Sequence, residues 1–164
     1  MQNFLIDKDI FPPNMHQSPY LFKRTHFARY SFTSIGRRRI EKVVDFADLG
    51  INNTFNLAFG DLQKDGTFDD RANSNNGDIV KILTTVISIL RDFLQDHPGA
   101  AVAFAGSTDE RMKLYTRILK SYYSIFSKEF RITAFVGVGE GIEEVRFDPR
   151  VTHAYVVFLI KRID

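Results

Sequence analysis

The residues best suited to chemistry sit at one strand–helix junction, Gly106-Ser107-Thr108, followed by Arg111 and Tyr115. A helix N-terminus presents unpaired backbone N–H groups and the positive end of the macrodipole. A glycine there lets a ligand come close to the chain, so the junction suits a phosphate or a carboxylate. The same residues also have a reading that needs no ligand, with Ser107 as N-cap and Glu110 completing a Ser-x-x-Glu capping box. Arg111 falls near the inner stripe of the helix and in its first turn, where the dipole disfavours a cation, so it calls for a negative partner. Two carboxylates are placed to supply one: Asp61, which ends an otherwise apolar strand face, and Asp78, which opens the preceding helix. If either does, Arg111 is a structural ion pair; otherwise it is available to an anion.

Asn75-Asn76-Gly77-Asp78 reads as a turn plus N-cap for the helix that begins at Ile79. The acidic set Asp61, Asp65, Asp69, Asp70 and Asp78 offers hard oxygen ligands to Mg²⁺, and Asp61, Asp70 and Asp78 would be the carboxylates of a metal-dependent nuclease or phosphoryl-transfer enzyme. Two departures count against that alternative. The spacing does not follow the calcium-loop pattern, and Gly106-Ser107-Thr108 stands at the end of the central strand where a two-metal enzyme needs a carboxylate. His16, His26, His97 and His153 lack metal-ligand spacing, and no Gly-x-Ser-x-Gly elbow pairs a serine with any of them. His97 before Pro98 reads as a helix-end cation. Arg37-Arg38-Arg39 reads as a solvated hairpin tip that can contact phosphates, a weak signal for nucleic acid. With no cysteine in the chain, thiol nucleophiles, disulfides and Cys-based zinc sites are excluded. No cofactor is implied.

The elements that must position these residues follow from periodicity. Residues 1–19, with Pro12, Pro13 and Pro19, are expected to form an irregular N-terminal arm. Tyr30, Phe32, Ile40, Val44 and Phe46 recur at even spacings on either side of Ile35-Gly36-Arg37-Arg38, a hairpin with a basic turn. Phe55 to Leu62 alternates as a third strand, and Asp65-Gly66 marks a tight turn before a short return strand at Thr67-Phe68-Asp69. The stripe 79, 82, 83, 86, 87, 90, 93, 94 predicts a helix over about 78–96, and Leu114 to Phe126 a second over about 108–128. Ala100 to Gly106 is apolar on both faces, which predicts a central strand with a helix close against its alanine side. Arg131–Gly137 and His153–Ile160 are further strands, with Gly137-Val138-Gly139-Glu140-Gly141 between them as a loop. The order is that of an α+β domain with a mixed, mainly antiparallel sheet, and it is shared with ribonuclease H-like folds.

The chain of 164 residues is 44% hydrophobic and 26% charged, which excludes disorder, and one domain spanning 1–164 is expected. The formal charge of +2 is too small to argue for nucleic acid by itself. Residues 1–50 carry +3, residues 51–100 carry −3 and the remainder +2, which is ordinary scatter. Met1 to Asp9 has no signal-peptide character, so a cytoplasmic protein without membrane attachment is expected.

Four segments together resemble a bacterial family known only as a domain of unknown function: Phe32-Thr33-Ser34-Ile35-Gly36 with Arg39 to Val44; Phe55 to Asp61; Asp69-Asp70 with Asn75-Asn76-Gly77-Asp78; and Phe104-Ala105-Gly106-Ser107-Thr108 with Arg111, Leu114 and Tyr115. Ala154 to Arg162 also fits. The resemblance covers roughly residues 20–162 and implies no activity. The expectation is a non-catalytic binding or regulatory protein with an anionic-ligand or protein partner. Its candidate site is Asp61, Asn76, Asp78, Gly106, Ser107, Thr108, Arg111 and Tyr115.

Overall fold

The structure is a computed structural model that describes residues 18–26, 28–69 and 76–163. Most of the expected N-terminal arm, and Asp70 to Asn75 with it, lie outside the described residues. The described chain is α+β, with two helices and nine strands whose pairings are mostly antiparallel. It divides into two compact units. One comprises the described residues up to Ala47 together with Leu57–His97; the other comprises Asp48–Asn56 and the chain from Pro98 onward.

In the first unit β1 (Phe22–His26), β2 (Arg29–Ile35), β3 (Arg39–Asp48) and the later part of β4 (Thr54–Leu62) follow one another in the sheet, with β5 (Phe68–Asp69) paired to β4. Strand β1 had no clear alternation in the sequence and was not expected. The β2–β3 hairpin sets Tyr30 opposite Val44 and Phe32 opposite Lys42. Tyr30, Phe32, Val44 and Phe46 are buried, each large apolar side chain contributing roughly 1.5–3 kcal/mol. Helix α1 (Ile79–Asp96) packs here, with Phe93 stacked on Phe46 at 3.9 Å between ring centroids.

The helix is where the stripe placed it, and Ile82, Leu90, Phe93 and Leu94 of that stripe are buried; the buried face extends beyond it to Thr84, Thr85, Ser88 and Ile89, while Ile79 is exposed. Burying three hydroxyls is tolerable because each donates to a carbonyl four residues back: Thr84 to Val80, Thr85 to Lys81 and Ser88 to Thr84. His97 ends the helix, its ring stacked on Phe93 and its Nδ1 2.9 Å from the Phe93 carbonyl.

In the second unit the first residues of β4 run parallel to β6 (Ala101–Phe104), and the order continues β9 (Tyr155–Arg162), β7 (Phe130–Val138), β8 (Gly141–Arg146), all antiparallel. Strand β6 has neighbours on both sides, and Ala101 and Ala103 are buried as expected. Helix α2 (Asp109–Glu129) lies on the face that carries Phe104, opposite the alanines, and Tyr115 meets the Phe104 ring edge-on there. The expected loop Gly137 to Gly141 is instead the tip of the β7–β8 hairpin, with Val138 paired to Gly141 and Gly139 at φ +58° making the tight turn. Among the described residues no helix is long and apolar enough to cross a membrane.

Candidate functional site

The Asn76-Gly77-Asp78 segment proves to be the hub of the first unit's polar structure. Asn76 is buried and makes four hydrogen bonds to the β2–β3 hairpin. Its backbone carbonyl accepts from Arg37 N–H (3.0 Å), its Oδ1 accepts from Arg38 N–H (2.8 Å), and its Nδ2 donates to the Arg38 carbonyl (2.8 Å) and to Ser34 Oγ (2.9 Å). Gly36 is required by the same contact, because a Cβ there would stand 1.8 Å from the Asn76 carbonyl oxygen. Gly77, at φ +84°, turns the chain from this contact into α1.

Asp78 occupies the N-cap position of α1 but makes no side-chain cap bond. Its Oδ2 instead accepts from Tyr20 Oη and from Ser34 Oγ, both at 2.6 Å. Tyr20 Oη in turn accepts from Ile35 N–H at 3.0 Å. Burial, followed by donation to Asp78, raises the Tyr20 hydroxyl above its ordinary pKa. The expected turn plus N-cap is therefore half right: the turn is there, and the carboxylate serves the hairpin rather than the helix end.

Asp61 ends its strand face as expected, and its partner is Lys42 of β3, whose ammonium also lies 5.7 Å from the Phe59 ring centre. Both are largely buried, with side-chain exposures of 4% for Lys42 and 15% for Asp61. The two carboxylates proposed for Arg111 thus have partners inside the first unit: a lysine for Asp61 and two hydroxyls for Asp78.

At the α2 junction the N-cap is Thr108, one residue later than expected, its Oγ1 accepting from Arg111 N–H at 3.2 Å. Thr108 has the extended backbone of a cap, and Asp109 and Glu110 fill the first turn with negative charge. Gly106 lacks a side chain for a local reason: a Cβ would stand 2.3 Å from Met112 N. Its own N–H points at Met112 Sδ, 3.4 Å away. Ser107 is exposed and Arg111 half-buried. Asp61, Asn76 and Asp78 belong to the first unit, and Gly106, Ser107, Thr108, Arg111 and Tyr115 to the second.

With this geometry in place, comparison with known proteins decides the affiliation. A family model described as a family of unknown function (DUF6934) matches residues 16–163. The chain belongs to that family. No curated protein and no solved structure matches it. The DUF6934 match takes in the hairpin, the Asn76–Asp78 segment and the α2 junction alike, and the likeness to ribonuclease H-like folds stays one of element order. Among the described residues no group of three His, Asp or Glu side chains is gathered to hold a metal; Asp70 and His16 lie outside them.

Sequence reasoning missed Tyr20, Ser34 and Lys42. Two of these had a signal in strand parity, since Ser34 continues the inward face of Tyr30 and Phe32, and Lys42 shares a face with Val44 and Phe46. Tyr20 follows a proline in an irregular segment and had none.

Proposed function

We propose that this chain is a non-catalytic binding protein whose anionic partner docks on the Gly36–Arg39 hairpin tip. One observation carries the reading: a buried asparagine fixes the backbone of a turn that bears three consecutive arginines. Arg37, Arg38 and Arg39 are all exposed. The side chains of Arg37 and Arg39 make no ion pair or hydrogen bond with any described residue. A tip whose only task was to join two strands would not need a buried amide, a glycine and a tyrosine–aspartate link beneath it. A tip that presents guanidinium groups does gain, because fixing the backbone beforehand removes ordering entropy from the binding step. Guanidinium groups in fixed positions favour phosphate or carboxylate oxygens through bidentate bonds.

The α2 N-terminus is the weaker place for an anion, since Thr108 caps it and Asp109 and Glu110 stand in its first turn. Of the carboxylates of the metal-dependent alternative, Asp61 pairs with Lys42 and Asp78 accepts from Tyr20 and Ser34, while Asp70 lies outside the described residues. The test is calorimetric titration with inorganic polyphosphate, comparing the native chain with Arg37→Gln/Arg38→Gln/Arg39→Gln. A folded triple variant should bind on the order of 10-fold or more weakly, because it loses several charge-assisted contacts. Equal affinity would remove the reading, and so would Mg²⁺-dependent hydrolysis of a phosphodiester that EDTA abolishes.

A further inference from the structure

Helix α2 covers the Phe104 face of the second unit's sheet; the opposite face of β7, β8 and β9 gathers three cations. Arg131 on β7 stands directly opposite Lys161 on β9. Arg146 on β8 stands opposite Thr133, two residues further along β7 and so on the same face as Arg131. Directly opposed residues have Cβ atoms about 5 Å apart and diagonal neighbours about 7–8 Å, which makes the three a single group. All are exposed. None makes a side-chain ion pair or hydrogen bond with any described residue. Like charges set directly opposite each other destabilise a sheet, and the one carboxylate that β7 and β8 place on this face, Glu144, accepts from Thr133 at 3.0 Å rather than pairing with any of the three cations. The next rung of the same face is Phe135, half-buried between Val157 and Glu144.

We infer that this face binds single-stranded nucleic acid, with backbone phosphates on Arg131, Arg146 and Lys161 and a base stacked on Phe135. An acidic peptide would use the cations alone. A single strand uses both features, because its phosphates need positive charge and its unpaired bases have free faces to stack on an aromatic ring. A duplex offers the phosphates without a free base. The surface belongs wholly to the second unit and does not rest on the hairpin reading.

The experiment is fluorescence anisotropy with a short labelled oligonucleotide of mixed sequence, single-stranded and then annealed, over a range of salt. The single strand should bind with a linear log–log salt dependence. Its slope should fall by roughly 0.7 for each phosphate contact removed, so Arg131→Gln/Arg146→Gln/Lys161→Gln should lose about 2. Phe135→Leu should weaken binding on the order of 10-fold. The triple glutamine variant should melt no lower than the native chain, since it relieves the cross-strand repulsion. The hairpin variant Arg37→Gln/Arg38→Gln/Arg39→Gln should bind the strand as the native chain does. Absence of binding, or binding unchanged in the sheet-face variant, overturns the inference. It is equally overturned if duplex or poly-glutamate competes as well as the single strand, if Phe135→Leu has no effect, or if the hairpin variant alone abolishes binding.

Discussion

Replacing Asn76 by alanine should damage this protein more than a surface turn ordinarily allows. The substitution deletes three side-chain hydrogen bonds, one accepted from Arg38 N–H and two donated by Nδ2 to the Arg38 carbonyl and Ser34 Oγ. It leaves the backbone bond from Arg37 N–H intact. At about 1 kcal/mol net for each bond, with a further penalty where a buried group is stranded, the loss is about 3–4 kcal/mol. With a urea m-value of about 2 kcal/mol/M, the unfolding midpoint should fall by about 1.5–2 M while m is unchanged. Gly36→Ala attacks the same contact from the other side, because its Cβ would meet the Asn76 carbonyl oxygen at 1.8 Å. Its expected loss is about 1–3 kcal/mol. Since both variants disrupt one interface, the double variant should lose less than the sum. A cost below about 1 kcal/mol for Asn76→Ala, or strict additivity with Gly36→Ala, would refute the clamp.

Three further outcomes follow from the same structure. Asp61→Asn removes the carboxylate from a buried ammonium and should cost about 3 kcal/mol in urea unfolding, whereas Lys42→Met/Asp61→Leu should recover most of that loss; a near-neutral Asp61→Asn would show that the pair is not structural. Burial, then donation to Asp92, pushes the Tyr30 hydroxyl well above its ordinary range. Its stabilising contribution is therefore complete below pH 10 and declines as the pH rises toward the folded-state pKa. Tyr30→Phe should cost about 1–2 kcal/mol at neutral pH and flatten the alkaline loss of stability, by up to about 1.4 kcal/mol per pH unit; an unchanged alkaline slope would contradict this. Gly106→Ala should lower stability by about 1–3 kcal/mol by forcing a Cβ against Met112 N, read as a lower urea midpoint, and an unaffected variant would return the glycine to a ligand-facing role.

Much of the fold was legible because it depends on local periodicity. The hairpin around Gly36, the alternation of β4 and the two helices are written in spacings of two and of three to four. The wider buried face of α1 was hidden because Thr84, Thr85 and Ser88 count as polar in any stripe, and only their bonds to carbonyls four residues back make them core residues. Strands β1 and β8 were hidden because they are mostly exposed, with Lys23, Arg24, Glu143 and Glu144 in place of an apolar face. At the site, Asp61 stood out as a carboxylate on an apolar strand face and Asp78 as the residue that opens α1, and both were expected to face Arg111; the partners described for them are Lys42 for Asp61 and Tyr20 and Ser34 for Asp78. Their partners depend on which strands lie side by side, so spacing from Arg111 could not reveal Lys42, Ser34 or Tyr20. Asn76 reads as a turn residue in any sequence; its burial follows only when the chain returns to the hairpin, with Arg38 lying 38 residues away.

In the proposed function the Asn76 clamp holds the arginine tip ready for an anion. The most direct measurement is the affinity of Asn76→Ala for inorganic polyphosphate, taken where that variant is still folded and so carries the same charge as the native chain. If ordering the tip is what the clamp supplies, binding should weaken about 10-fold with the salt slope unchanged, the cost of fixing a residue or so of freed backbone. Affinity equal to that of the native chain would show that the clamp does not prepare the tip for binding.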